Sequence, residues 1–273
     1  MLRCGRYSFS LDHPLLMGIV NLTPDSFSGD GLMGSVSQAI EHARRQVEAG
    51  ADILDIGAES SRPGAVPTPE DEELSRLLPV LREISTWGVP ISVDTYKPAV
   101  MQAALNAGAV MINDISGLAQ SQAIEVVAGS DCAVCIMHMQ GVPGTMQQKP
   151  LYSDVVSDVR LYLAAAVNRC RAAGIADERI VVDPGFGFGK TLDHNLELFR
   201  ALTAVAVDGL PMLVGLSRKS MLGSITGRPV DQREGASVVA ALIAAQKGAK
   251  ILRVHDVAAT RDALALWSAI EQG

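Results

Sequence analysis

The feature that most constrains this chain is a unit that recurs eight times along its 273 residues. Each unit is a short apolar run, a polar residue, a loop rich in glycine or polar groups, and an amphipathic helical pattern. The runs fall at 16–21, 53–57, 90–94, 110–114, 133–138, 180–183, 212–217 and 251–255. They are too apolar to alternate, and read as strands buried on both faces, as parallel strands between helices are. Between them, Val36, Ile40, Ala43 and Val47 share one helical face, as do Val156, Val159, Leu163, Val167 and Cys170, and again Leu192, Leu196 and Phe199. Thr68, Pro69, Glu70 and Asp71 together predict a capped helix start, and Gly50, Gly108, Gly174 and Gly248 sit where helices should stop. The same alternation could build an open doubly wound sheet. Eight strands with no obvious edge strand, and no linker or composition shift, favour closure. The expectation is an α/β fold, a single-domain (β/α)8 TIM barrel over residues 1–273.

Composition narrows the partners. Hydrophobic residues make up 48 % of the chain but aromatic residues only 4 %, so the interior must be aliphatic and alanine-rich. A net charge of -7 argues against a general affinity for nucleic acid or an anionic membrane. No apolar stretch approaches the ~20 residues of a membrane span, and residues 1–13 lack a signal-peptide core. Cys132 and Cys135 have CxxC spacing, but they lie in a strand-like run without a second pair or a histidine cluster. They and Cys4 and Cys170 read as small buried hydrophobes. A cytoplasmic protein is expected.

The strand ends carry the chemistry. Ile180, Val181 and Val182 deliver Asp183 to Pro184 and three glycines, a rim where backbone can approach a flat ligand closely. Taken alone, the stretch reads equally well as a turn whose Asp183 caps a neighbouring helix. Repetition shifts the balance. The other runs end in Asn21, in Gly57 leading to Glu59, Ser61 and Arg62, and in Asp94, Asn113, His138, Ser217–Lys219, and Arg253 with His255. Asp94, Asn113 and Asp183 set against Lys219, Arg253 and His255 imply a ligand of two chemistries. One half is a flat heterocycle rich in N–H donors; the other is an anion of the phosphate kind, met by Arg253, His255, Arg62 and loop N–H groups.

Three familiar motifs fail. Residues 185–191 resemble a phosphate-binding P-loop, but Pro184 stands where its first glycine would. Residues 215–219 resemble a nucleophile elbow, with Lys219 in place of the second glycine. No HExxH or close histidine pair offers a zinc cage. A Mg2+ bridging protein and a diphosphate needs few protein ligands and stays compatible.

Eight segments then identify a family by resemblance: Gly18-Ile-Val-Asn-Leu-Thr-Pro-Asp-Ser-Phe-Ser28, Asp55-Ile-Gly-Ala-Glu-Ser-Ser-Arg-Pro-Gly64, Ser92-Val-Asp-Thr-Tyr-Lys97, Asn113-Asp-Ile-Ser116, Met137-His-Met-Gln140, Asp183-Pro-Gly-Phe-Gly-Phe-Gly189, Ser217-Arg-Lys-Ser220 and Arg253-Val-His-Asp256. From about Met17 to Val257 the chain resembles the dihydropteroate synthases, pterin-binding enzymes that join a dihydropterin diphosphate to p-aminobenzoate in folate synthesis. The resemblance implies that Asp94, Asn113 and Asp183 hold the pterin's polar edge, that Lys219 donates to its carbonyl side, and that Arg253 stacks on the ring. Ile115, Met137, Phe188 and Gly215 would complete the pterin pocket. Asn21, Ser61, Arg62, Arg253 and His255 would receive the diphosphate, with Asn21 also reaching Mg2+. Ser61, Arg62, Pro63, Arg218, Lys219 and Ser220 would border p-aminobenzoate. The implied mechanism is dissociative: diphosphate leaves first, and the aniline nitrogen attacks the methylene cation left behind. Lys219, Arg253, His255, Asp94 and Asp183 would supply the electrostatics.

Two departures stand out: Ser61 where the family usually has threonine, and Ser28-Gly-Asp-Gly31 where its order is Ser-Asp-Gly-Gly. Other residues have plainer readings. His138 is expected to pack at the rim without an obvious partner; His13, His42 and His194 are expected at the surface or at caps. Met137, Met139 and Met146 are expected in packing, Asp114 to orient the fourth loop, and Lys190 to be a solvated helix-start residue. Loops 22–34 and 58–69, rich in Gly, Pro and Ser, should be held less firmly than the strand ends.

Two rival functions share the barrel. A methyltetrahydrofolate:corrinoid methyltransferase has no diphosphate to bind, which Ser217–Ser220 and Arg253–His255 speak against. A non-catalytic pterin-binding paralogue would be expected to lose loop residues that are present here. Finally, residues 235–245 form a helical pattern that is apolar almost all round, with no charge between Glu234 and Lys247. With Leu264, Leu266 and Trp267 nearby, this predicts a homodimer through the C-terminal helices.

Overall fold

The computed structural model describes residues 1–23, 31–62 and 64–271, the first five of the second stretch by backbone only. The chain opens with a small antiparallel hairpin, β1 (Leu2–Cys4) and β2 (Tyr7–Phe9). It continues through β3 (Leu15–Asn21), α1 (Gly31–Glu48), β4 (Ile53–Gly57), α2 (Glu70–Ile84), β5 (Ile91–Asp94), α3 (Pro98–Asn106), β6 (Met111–Asp114) and α4 (Ser121–Ala128). The second half comprises β7 (Ala133–Met137), α5 (Val155–Ala172), β8 (Ile180–Asp183), α6 (Leu192–Arg200), β9 (Leu213–Val214), α7 (Ser220–Thr226), α8 (Glu234–Gln246), β10 (Ile251–Val254) and α9 (Val257–Glu271).

Strands β3 to β10 form one parallel sheet in the order β8-β7-β6-β5-β4-β3-β10-β9. Its ends meet where Val182 bridges Met212 and the Val182 N–H donates to the Pro211 carbonyl at 3.0 Å. The sheet closes into the expected barrel. The run at 212–217 is the least regular: only two of its residues are strand, because the chain turns at Leu216, whose carbonyl accepts the Lys219 N–H, with Arg218 at φ +57°.

Strand alternation sorts the side chains into two cores. Leu16, Leu54, Ile112, Val134, Val182 and Leu252 pack outward against the helices. Met17, Ile53, Met111, Cys135, Val181 and Ile251 point into the barrel, and Leu2 and Cys4 of the hairpin pack with them. The hairpin is thus a plug, and no periodicity in residues 1–13 announces it. One inward step further along the same strands, the parity that placed Ile53, Met111, Val181 and Ile251 inside places Asp55, Asn113, Asp183 and Arg253. The barrel is apolar at the hairpin end and polar at the other.

Helix α2 begins after Pro69 with no side-chain cap, so Thr68 does not cap it as expected; its carbonyl accepts instead from the Lys97 ammonium at 2.6 Å. Among the described residues no helix is long and apolar enough to cross a membrane. The four cysteines are buried and free.

Candidate active site

Arg253, near the end of β10, lies at the centre of the mouth. Its Nε donates to Asp55 Oδ2 at 2.5 Å and its Nη2 to Asp94 Oδ2 at 2.9 Å. Asn113 donates to the same Asp55 oxygen at 3.2 Å. Burial pushes the Asp94 carboxyl up to about 7, against the pull of Arg253 and with the Asp55 charge adding to the rise. The two carboxylates outweigh burial for Arg253 and raise its already high value further. Two of its five N–H donors are therefore engaged, and the Nη1 amino group and the planar face remain for a ligand.

Asp55 is fully buried and was not assigned a role from sequence. Its signal was there: a lone carboxylate in the middle of an otherwise apolar strand demands a buried cation. Its Oδ1 has no partner among the described residues, and neither has Ser92 Oγ, on the strand residue paired with it.

Opposite stand Asp183 and Lys219. Asp183 Oδ1 accepts the Gly185 N–H at 2.7 Å, which fixes the turn of the glycine-rich loop. Its main-chain carbonyl accepts the His138 N–H, so the carboxylate organises its own loop and caps no neighbouring helix. Burial raises the Asp183 carboxyl, while Lys219 and the Gly185 bond pull it down. Burial brings the Lys219 ammonium down to about 8, with Asp183 working the other way. Lys219 donates to the Phe186 carbonyl and lies 4.8 Å from the centre of the Phe188 ring. Ile115 and Met137 are buried apolar residues at the ends of β6 and β7, and Gly215 lies against the Arg253 side chain. The expected pterin residues therefore share one strand-end layer.

Lys190 is a correction. It is 3 % exposed, not solvated, and its ammonium reaches the Gly185 carbonyl at 2.9 Å, the Phe188 carbonyl at 3.1 Å and His138 Nδ1 at 2.9 Å. It holds the glycine loop from beneath. His138 consequently has a partner, packs edge-on against Tyr162, and is held neutral by burial and by Lys190, down to about 3. Asp114 orients the fourth loop as expected, accepting the Ser116 and Leu118 N–H groups at 2.6 and 3.0 Å. His194 caps α6 with Thr191, whereas His42 is half-buried and bonded to the Ile19 carbonyl.

Around the other side of the mouth, Asn21 is half-buried at the end of β3, Ser61 is half-buried and Arg62 exposed. His255 Nδ1 lies 3.0 Å from Ser217 Oγ, and its N–H donates to the same hydroxyl. Burial, then the charges of Arg253 and Arg218, hold its imidazole down to about 3. His255 thus belongs with the neutral donors, not with the cations among which sequence placed it. Arg218 is tied to Asp256 at 2.5 Å, and its N–H donates to Ser237 of α8; Ser220 is exposed at the start of α7. Pro63 and the Gly29–Asp30 departure lie outside the described residues. Among the described residues, no three His, Cys, Asp or Glu side chains gather to hold a metal. An Mg2+ that keeps water and phosphate oxygens needs only one hard protein oxygen, which the Asn21 carboxamide offers.

Comparison with known proteins bears on this geometry. Residues 17–255 match the family model for pterin binding enzymes. A dihydropteroate synthase of Neisseria meningitidis serogroup C is 50 % identical, over 98 % of this chain and 96 % of its own length. The crystal structure of Burkholderia cenocepacia dihydropteroate synthase complexed with 7,8-dihydropteroate has a TM-score of 0.91 at 50 % identity, covering 99 % of this chain and 96 % of that one. The Yersinia pestis dihydropteroate synthase with a sulfonamide drug complex has a TM-score of 0.94 at 45 % identity, covering 100 % and 99 %.

Proposed function

This chain belongs to the pterin-binding enzyme family, and on that premise we propose how its barrel mouth carries out the dihydropteroate synthase reaction. The chain is a transferase of folate biosynthesis. It condenses 6-hydroxymethyl-7,8-dihydropterin diphosphate with p-aminobenzoate and gives 7,8-dihydropteroate and diphosphate. Neither the methyltransferase nor the non-catalytic reading is needed.

The observation that carries the division of labour is the placing of Asp183, Asn113 and Lys219 around one strand-end layer with Arg253 pinned among them. Asp183 accepts from the pterin's amino and ring N–H groups, and Asn113 and Asp94 complete the polar edge. Lys219 leaves the Phe186 carbonyl to donate to the pterin carbonyl. Arg253, its Nε and Nη2 held by Asp55 and Asp94, offers its face to the ring and its Nη1 group to the diphosphate. Ile115, Met137, Phe188 and Gly215 bound the apolar sides.

Asn21, Ser61, Arg62 and His255 face the diphosphate. A bound Mg2+, reached by Asn21, would neutralise phosphate charge as the leaving group departs. Departure leaves a methylene cation that Asp94, Asp183 and the electron-rich ring stabilise. The neutral aniline nitrogen, lodged by Ser61, Arg62, Pro63, Arg218, Lys219 and Ser220, then attacks, and the proton it sheds passes to the released diphosphate or to water. No strong base is required, because preorganised charge supplies the catalysis. The sulfonamide complex of the Yersinia relative supports reading this chain as a sulfonamide target.

The assembly reading is a homodimer through α8 and α9, supported by exposed Val239, Leu266 and Ile270 on those helices. Free, buried cysteines support a reducing, cytoplasmic setting. The test is direct: purified protein with both substrates and Mg2+ should form dihydropteroate and release diphosphate one for one. No product, with both substrates bound, would overturn the reading. Asn21→Ala should raise the Mg2+ concentration needed for half-maximal rate.

A further inference from the structure

Beside the mouth, between β4 and α2, runs the loop that carries Ser61 and Arg62. Its two ends converge on one ammonium. Lys97, at the start of α3, donates to Glu59 Oε2, two residues after β4 ends, and at 2.6 Å to the carbonyl of Thr68, two residues before α2 begins. A third bond, 2.5 Å long, goes to Glu73 on α2. Lys97 and Glu73 are buried, so the three acceptors, not solvent, satisfy the three N–H donors of the ammonium. Tyr96 adds a second tie, its hydroxyl donating to Glu59 Oε1 at 2.9 Å. Arg76 adds a third, donating to the Ala58 carbonyl at 3.1 Å. Glu59, Glu73, Ser61 and Asp94 line one small pocket, so the fastening is continuous with the site.

We infer that Lys97 is the positioning residue for the second substrate: its ammonium staples both ends of the 58–69 loop and so sets where Ser61 and Arg62 stand. The inference rests on the reading that those two residues border p-aminobenzoate. The chemistry fits a staple. Tying Glu59 and Thr68 to one buried cation closes the loop and restricts the conformations open to Ser61 and Arg62. Burial works against the Lys97 charge, but its bonds to Glu59 and Glu73 more than offset this and raise its value, so the ammonium stays protonated. Lys97 itself touches no pterin residue through a hydrogen bond among the described residues. Its loss should therefore separate the two substrates.

The test compares Lys97→Met, which keeps the stem and removes the charge, with Glu59→Gln, which loosens only the first end. Arg62→Ala reports on the subsite itself. Each variant is checked for folding by thermal melt, then for pterin Kd by calorimetry and for the KM of p-aminobenzoate. Lys97→Met should raise that KM roughly tenfold or more and Glu59→Gln about threefold, with pterin Kd within about twofold of wild type, since displacing a positioning element by an ångström has effects of this order. An unchanged KM in folded Lys97→Met, or equal losses for both substrates, would overturn the inference. If Lys97→Met does not fold, an unchanged KM in Glu59→Gln overturns it instead. If Arg62→Ala raises the KM while neither staple variant does, the staple alone is wrong. If Arg62→Ala also leaves it unchanged, the subsite assignment falls and the inference with it.

Discussion

Gly185 sets the position of the glycine-rich loop that we propose holds the pterin, and Gly185→Ala should show it. The residue has φ +68°, and a Cβ added to it would lie 1.9 Å from the His138 carbonyl oxygen. That oxygen is main chain at the end of β7 and cannot rotate away, so the loop must retreat by roughly 1.5 Å to regain an ordinary van der Waals contact of about 3.4 Å. Left-handed backbone costs an alanine about 1–2 kcal/mol. Retreat also breaks the 2.7 Å bond from Gly185 N–H to Asp183 and the 2.9 Å bond from Lys190 to the Gly185 carbonyl. Bonds to charged groups contribute about 1.5–3 kcal/mol each, and one or both are lost, so with the backbone cost the expected total is about 2.5–8 kcal/mol. At roughly 2–4 °C per kcal/mol for a chain of about this size, the melting temperature should fall by about 5–32 °C. The control is Gly209→Ala, with φ +73° and no atom within 4 Å of the added Cβ. It carries only the backbone cost, about 1–2 kcal/mol or roughly 2–8 °C. Differential scanning calorimetry and a pterin titration of both variants decide the matter. Gly185→Ala should melt well below Gly209→Ala and bind pterin far more weakly. Equal melting temperatures with equal pterin affinity would refute the claim that the loop is seated against His138.

Three further outcomes follow from single residues. His255 is held neutral in the free protein, its value pulled down from the ordinary 6.5 to about 3, so an arriving diphosphate should raise it and draw in a proton. Calorimetry at pH 6 in buffers of different ionisation enthalpy should show more proton uptake for wild type than for His255→Asn; equal uptake would count against the contact. Ser92 Oγ is buried without a partner among the described residues, so Ser92→Ala should be neutral or stabilise by up to about 1 kcal/mol, read as an unchanged or raised melting temperature. A loss above about 1 kcal/mol would mean that the hydroxyl is bonded after all. Light scattering at micromolar concentration should give a dimer mass, and Val239→Glu with Ile243→Glu should give a monomer; a dimer surviving both changes would put the interface elsewhere.

The barrel was legible because its strands are buried on both faces. Such runs stand out as unbroken apolar stretches, and their mouth-side ends are where polar residues cost least. Asp94, Asn113, Asp183, Lys219 and Arg253 could therefore be found by reading the last residues of each run. Asp55 escaped because it lies inside a run, and its need for Arg253 connects residues 198 positions apart. Lys190 was misread because a lysine between a glycine and a helix start is usually solvated; only the fold brings three acceptors to it. The hairpin plug was invisible because its strands are three residues long, too short for a period to register. The state of His255 also depended on the fold, since burial is the main cause that keeps it neutral, with Arg253 two residues before it and Arg218 from the turn after β9 adding to the effect.

Asp183→Asn tests the central assignment most directly, with pterin Kd measured by calorimetry alongside a thermal melt. The carboxamide keeps the shape and one acceptor oxygen, but it turns an N–H group toward the donor edge of the pterin and leaves buried polar groups unpaired. That costs about 1–3 kcal/mol or more. With tenfold in affinity for every 1.4 kcal/mol, Kd should rise from about fivefold to more than a hundredfold while the protein still melts cooperatively. A folded Asp183→Asn variant that binds pterin with near wild-type affinity would contradict the account.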